Sequence, residues 1–148
     1  IDFSDAAIGR QSKSLDLANG SFVNELSSSR TFCSHSDVDF MRSKGLALGG
    51  TLDNALVFDG EDVLSPGGLR HKDEPVRHKM LDAIGDLYLL GHNLIGQFSG
   101  YKSGHSLNNE LLRKILASED AWEVVTFEDS SIAPISYVRA PFGDAEQL

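Results

Sequence analysis

The stretch VRHKMLDAIGDLYLLGH, residues 76–92, decides how this chain is read. Val76, Met80, Ile84, Leu87 and Tyr88 recur at helical spacing and mark a buried face. Pro75 suits the first turn of such a helix and Gly91 its end, so the pattern predicts a helix over 75–90. His78, Asp82 and Asp86 are interleaved with that apolar body, each four residues after the last. At about 100° per residue, this spacing puts all of them on one face. An imidazole and a carboxylate one turn apart can grip one divalent ion, and zinc accepts both ligand types. A pair of ligands is too few for a catalytic zinc, so a further one has to come from elsewhere. The plain alternative is a solvated helix face, or a hydrogen bond between neighbouring turns. Asp86 favours the sharper reading. Ile84, Leu87 and Leu90 around it imply partial burial, and a buried carboxylate needs a partner. His105, in YKSGHSLNN, is the candidate, since it follows Gly104 at an expected strand-to-helix junction where loops carry function. The alternative for His105 is a capping or surface residue.

Working outward, Ser106 is the expected cap of a second helix with Leu107, Leu111, Leu112, Ile115 and Leu116 as its stripe. Shorter helices are expected after Ser21, carrying Phe22, Val23 and Leu26, and from Ser36 or Asp37 to Gly45. Strands are expected at 1–3, near 30–32, on both sides of Asp59-Gly60 as a hairpin, through NLIGQFSGYKSG, and at WEVVTF. The tail after Pro134 carries little pattern. The sum is an α+β layered sandwich, a mixed sheet packed against two main helices.

The chain has 148 residues, 41% hydrophobic and 24% charged, enough for one domain with a core. A net charge of −9 argues against a nucleic-acid binder, which needs a basic face, but leaves room for an anionic ligand held by local lysines. Cys33 is the single cysteine, so no internal disulfide forms, and a reducing cytoplasm is the simplest location. No apolar run is long enough to span a membrane, and IDFSDAAIGR has no secretory signal character. The chain begins with Ile rather than Met, as if entered mid-strand, and is expected to be a piece of a longer or processed protein.

The segments RTF, LALGGTLDNALV, DEPVRHKMLDAIGDLYLLGH, YKSGHSLNN and AWEVVTFED closely resemble the C-terminal half of the UDP-3-O-acyl-N-acetylglucosamine deacetylase family, the zinc amidases of lipid A biosynthesis in Gram-negative bacteria. The resemblance runs from IDF to TFED. It implies a C-terminal domain that lacks its first strands, with a small inserted subdomain at about 33–57 and the N-terminal domain absent. It implies that His78 and Asp82 bind Zn2+, that Asp86 orients His105, and that His105 and the Thr31 hydroxyl face the oxyanion. Lys79 and Lys102 match residues that hold the sugar and phosphates, and Phe3 an aromatic that stacks on uracil. Val38, Ala47, Leu52 and Val57 would line a passage for the acyl chain. A third zinc ligand and a general base would come from the missing N-terminal domain. Chemistry agrees with these roles. Zinc makes water nucleophilic near neutral pH, an oxyanion wants positive charge placed in advance, and a carboxylate beside an imidazole favours its charged form.

Cys33-Ser34-His35 departs from the family's usual glycine, aromatic and bulky apolar residue. Cys33 is expected to be a small buried filler. His35 and His71 are expected on surface loops and His92 at a helix end. Two other readings stay open. One is a non-catalytic module that binds an acyl chain or nucleotide-sugar. The other is a zinc amidase acting on a different N-acyl sugar.

Overall fold

Thr31–Ser34 and Ala55–Asp59 run side by side, and the first turns directly into a helix, His35–Ser43. In a computed structural model these are β3, β4 and α1, following β1 (Asp2–Phe3) and β2 (Gly9–Arg10). The structure describes residues 1–3, 7–17, 21–129 and 132. β3 and β4 pair in parallel from Thr31↔Ala55 to Ser34↔Phe58, with α1 in the crossover between them. β5 (Asp62–Val63) returns antiparallel to β4 through Asp59-Gly60. Gly60 has φ +57°, the left-handed conformation such a tight hairpin asks for. β1 and β2 form a separate antiparallel ribbon. The architecture is α+β, with a mixed sheet packed with helices.

The core lies under β4. Leu56 and Phe58 are buried against Ile8, with Phe32 and Val63 around them. Leu26, on a π-helical turn Phe22–Leu26, and Leu56 are fully buried. Each such side chain contributes about 1.5–3 kcal/mol. The main helix α2 (Glu74–Leu87) runs on as a 3-10 turn to Leu90. Gly91 closes it in the left-handed conformation, φ +78°. α3 (His105–Ala117) packs across α2.

A buried ion pair fixes α2 to the sheet. Glu74, fully buried in the first turn of α2, accepts from Arg30 N and Nε at 3.0 Å and from Arg30 Nη2 at 3.2 Å. The amide of Arg70 donates at 2.6 Å to Oε2, the oxygen that Arg30 Nη2 also meets. Arg30 directly precedes β3, so this cluster sets the height of β3 relative to α2. Burial works against the charge on Glu74, but the hydrogen bonds from Arg30 and Arg70 prevail and hold its carboxyl below the usual range.

Several expectations are corrected. WEVVTF, residues 122–127, is not a strand, and neither is NLIGQFSGYKSG. Val124 is 71% exposed, and every residue from 91 to 102 lies on the surface. β-branched residues favour a strand only where a sheet edge is there to pair with them. The stripe on α3 is narrower than expected: Leu112 is buried, whereas Leu107 and Leu116 are more than half exposed. Tyr88 is likewise exposed. α3 starts at His105 after an extended Gly104, with no cap from Ser106, and Ser34 rather than Ser36 or Asp37 precedes α1. The tail after Pro134 lies outside the described residues. No helix among the described residues is long and apolar enough to cross a membrane.

Candidate functional site

A cleft of about 340 Å³ opens between β1, β3, α1, α2 and the start of α3. Its lining includes Phe3, Thr31, His78, Lys79, Asp82 and His105, six of the residues singled out from sequence. They converge because α2 lies beside β3, and α3 crosses α2 so that its first residue reaches the same opening.

His78 and Asp82 meet as helical spacing predicts, with Nε2 3.3 Å from Asp82 Oδ1. The other ring nitrogen is engaged. His78 Nδ1 lies 3.2 Å from the carbonyl oxygen of Ser29. A carbonyl only accepts, so Nδ1 carries a proton, and in the neutral ring Nε2 keeps its lone pair facing the cleft. A backbone carbonyl behind one imidazole nitrogen is the usual support for a metal-binding ring. Lys79 Nζ donates to Asp82 Oδ2 at 3.0 Å, leaving Oδ1 for whatever His78 also meets. The donor chemistry and tautomer therefore fit a pair of zinc ligands. Among the described residues, no group of three His, Cys, Asp or Glu side chains could hold an ion.

The second imidazole–carboxylate pair joins Asp86, one turn further along α2, to His105 at the start of α3. His105 Nδ1 donates to Asp86, 2.9 Å from Oδ2 and 3.1 Å from Oδ1. Asn108 Nδ2 donates to Oδ2 at 2.8 Å. Burial disfavours the Asp86 charge, but the bonds from Asn108 and His105, with the charges of His105 and Lys79, outweigh it and hold the carboxyl below its usual range. With Nδ1 committed, Nε2 of His105 is the nitrogen left to meet a ligand, and the ring is 66% exposed at the cleft.

The remaining residues fall into two groups. Phe3 packs edge-on against Phe32 at 5.5 Å, and Phe32 edge-on against His78 at 6.3 Å, so an aromatic row backs the cleft. Lys102 stands outside the lining, its ammonium 3.2 Å from Asp2 Oδ2 and over the ring of Tyr101. Val38, Ala47, Leu52 and Val57 do not line this cleft: Val57 is buried in β4 opposite Cys33, Val38 is half-buried on α1, and Ala47 and Leu52 are exposed. Cys33 is a partly buried wall of the cleft, and burial, with Asp37 nearby, pushes its thiol up. Of the extra histidines, His71 bonds Ser28 Oγ at 3.0 Å, while His35 begins α1 and His92 follows α2, both exposed.

Three supports of the site escaped sequence reasoning: the Ser29 carbonyl, the Arg30–Glu74 pair and Asn108. Only Asn108 carried a signal. It stands four before Leu112 and seven before Ile115, a polar residue at a core-facing position of α3.

A family profile for UDP-3-O-acyl N-acetylglycosamine deacetylase matches residues 1–117. A protein named UDP-3-O-acyl-N-acetylglucosamine deacetylase from Pseudomonas entomophila (strain L48) is 61% identical over 129 residues, 87% of this chain and 43% of that relative. The chain thus spans less than half the length of the curated relative it matches.

Proposed function

Because the chain belongs to the UDP-3-O-acyl N-acetylglycosamine deacetylase family, we propose that it forms the C-terminal part of a zinc-dependent amidase. The reaction is removal of the N-acetyl group from UDP-3-O-acyl-N-acetylglucosamine in lipid A biosynthesis, in the cytoplasm of a Gram-negative bacterium. One observation carries this reading: the His78–Asp82 pair of α2 and the imidazole of His105, which α3 brings to Asp86 on the next turn of α2, address one cleft.

His78 Nε2 and Asp82 Oδ1 would hold the zinc, which when bound supplies a water acidic enough to act as nucleophile near neutral pH. His105, held by Asp86, presents Nε2 to the developing oxyanion and passes its proton to the leaving amine. The Thr31 hydroxyl donates to the same oxygen. Phe3 offers a face to the uracil ring, and Lys79 and Lys102 attract the sugar and phosphates. The remaining length of the protein, its N-terminal domain, supplies the third zinc ligand and the base for the water. Acyl-chain contacts by Val38, Ala47, Leu52 and Val57 belong to this reading only as what the family resemblance implies, since none of the four lines the cleft and Val57 is held in the sheet.

The test is His78→Ala in the protein with its N-terminal part present. Zinc content and turnover should both be lost; full metal loading and normal turnover would refute the ligand assignment. The lack of a three-ligand set among the described residues favours a second reading for the chain by itself, a module that binds without hydrolysing. Metal analysis of the 148-residue chain separates them, since tight stoichiometric zinc would exclude a mere binding module.

A further inference from the structure

Asn108 is 2% exposed, on the face of α3 that meets α2, one turn after His105. Its amide donates to the same Asp86 oxygen that lies nearer to His105 Nδ1, 2.8 Å against 2.9 Å. We propose that Asn108 is a positioning residue that fixes the Asp86 carboxylate, in place and in charge, as the partner of His105.

The chemistry follows from what each group can offer. A carboxylate only accepts, so the Asn108 amide must present its NH2 to it. That donor is neutral. It favours the ionised form of Asp86 without adding a positive charge that would compete with a protonated His105. It also orients the carboxylate. Asp86 is reached from α3 by two donors a turn apart, which leaves its oxygens little freedom to rotate. The charged groups around Asp86 are His105 from α3 and Lys79 from its own helix, and neither replaces a buried hydrogen bond from below. An apolar residue at 108 would take one donor from Asp86 and leave Oδ2 to the His105 ring, in a site where the carboxylate side chain is 12% exposed.

The catalytic meaning rests on the role proposed above for His105; the placement of the carboxylate does not. The experiment is NMR titration of the Asp86 carboxyl and the His105 ring in the full chain, with three variants. Asn108→Leu should raise the Asp86 midpoint by about one to two pH units, the worth of a hydrogen bond to a charged group. Asn108→Asp is nearly isosteric and guards against misfolding. While protonated, the introduced carboxyl still donates, so the His105 signals should match wild type at low pH. They should depart once both carboxyls are forced to ionise side by side. Leu112→Ala loosens the same helix face without touching Asp86, and its midpoint should stay in place. An Asp86 midpoint that does not move in Asn108→Leu, His105 signals in Asn108→Asp that follow wild type at every pH, or an equal shift in Leu112→Ala would each overturn the inference. Normal turnover in His105→Ala, measured with the N-terminal part present, would instead sink the role of His105 and leave the placement of Asp86 standing.

Discussion

His78–Asp82 and His105–Asp86 are built from the same two residue types, with their carboxylates one turn apart on α2 and the second imidazole supplied by α3, yet they are poised for different chemistry. In the first pair the carboxylate faces Nε2, and Nδ1 is taken by the Ser29 carbonyl. Two lone-pair donors are thereby aimed into one space, which suits a cation. In the second pair the carboxylate faces Nδ1, and Asn108, a turn after His105 on α3, donates to the same carboxylate oxygen. That leaves an imidazole with a carboxylate behind it and Nε2 in front, which suits the holding and release of a proton. Residue identity does not distinguish the two; the nitrogen that meets the carboxylate does, and the chain around each ring decides which nitrogen that is.

The two pairs should respond most differently when one carboxylate is replaced by its isosteric amide. With the N-terminal part present, Asp86→Asn should lower kcat by about 10²–10⁴-fold, the usual worth of a positioned acid or base, while zinc content is kept. Asp82→Asn should instead lower zinc content itself. Equal zinc loss in both variants would show that the pairs do one job, not two.

Next in size is the strut that aligns both pairs. Glu74→Ala leaves Arg30 buried without its counter-charge and should cost about 3–5 kcal/mol, read as a fall in the denaturant midpoint. The same residue sets an acid limit. Glu74 and Asp86 both have folded-state pKa values held below the unfolded ones, which lie near about 4. Their stabilisation is therefore complete above that range and is lost as pH falls through the depressed values. Thermal midpoints should hold steady from neutral pH to about 5 and then drop, and Glu74→Gln should flatten part of that drop. A midpoint independent of pH down to about 3 would contradict the pairing.

The smallest effect belongs to Lys79, whose contact with Asp82 is partly exposed. Lys79→Met should change stability by about 0.2–1 kcal/mol, checked by thermal melting, and less at high salt. If the proposed function holds, its larger consequence should appear as a raised KM for the proposed nucleotide-sugar substrate, which separates a ligand contact from a structural one.

Much of the site was legible because it is local. His78, Asp82 and Asp86 share a face through the geometry of one helix, whatever surrounds it. The Asp59-Gly60 turn is just as local, and its hairpin formed as expected. WEVVTF failed for the opposite reason. Its strand propensity is real, but a strand needs a neighbour, and no sheet edge pairs with it among the described residues. Leu107 and Leu116 fit a helical stripe, yet burial depends on a facing surface that α2 alone does not provide.

Neighbours along the chain were enough to place the central helix, the spacing of its ionisable residues and membership of a deacetylase family, because periodicity and long motifs are local properties. Packing between elements set which ring nitrogen each carboxylate meets, that Asn108 shares an Asp86 oxygen with His105, and that Glu74 binds Arg30 across 44 residues. Those contacts join segments distant in sequence, and a hydrogen bond a few ångströms long is set by how whole elements pack, not by spacing within any one of them.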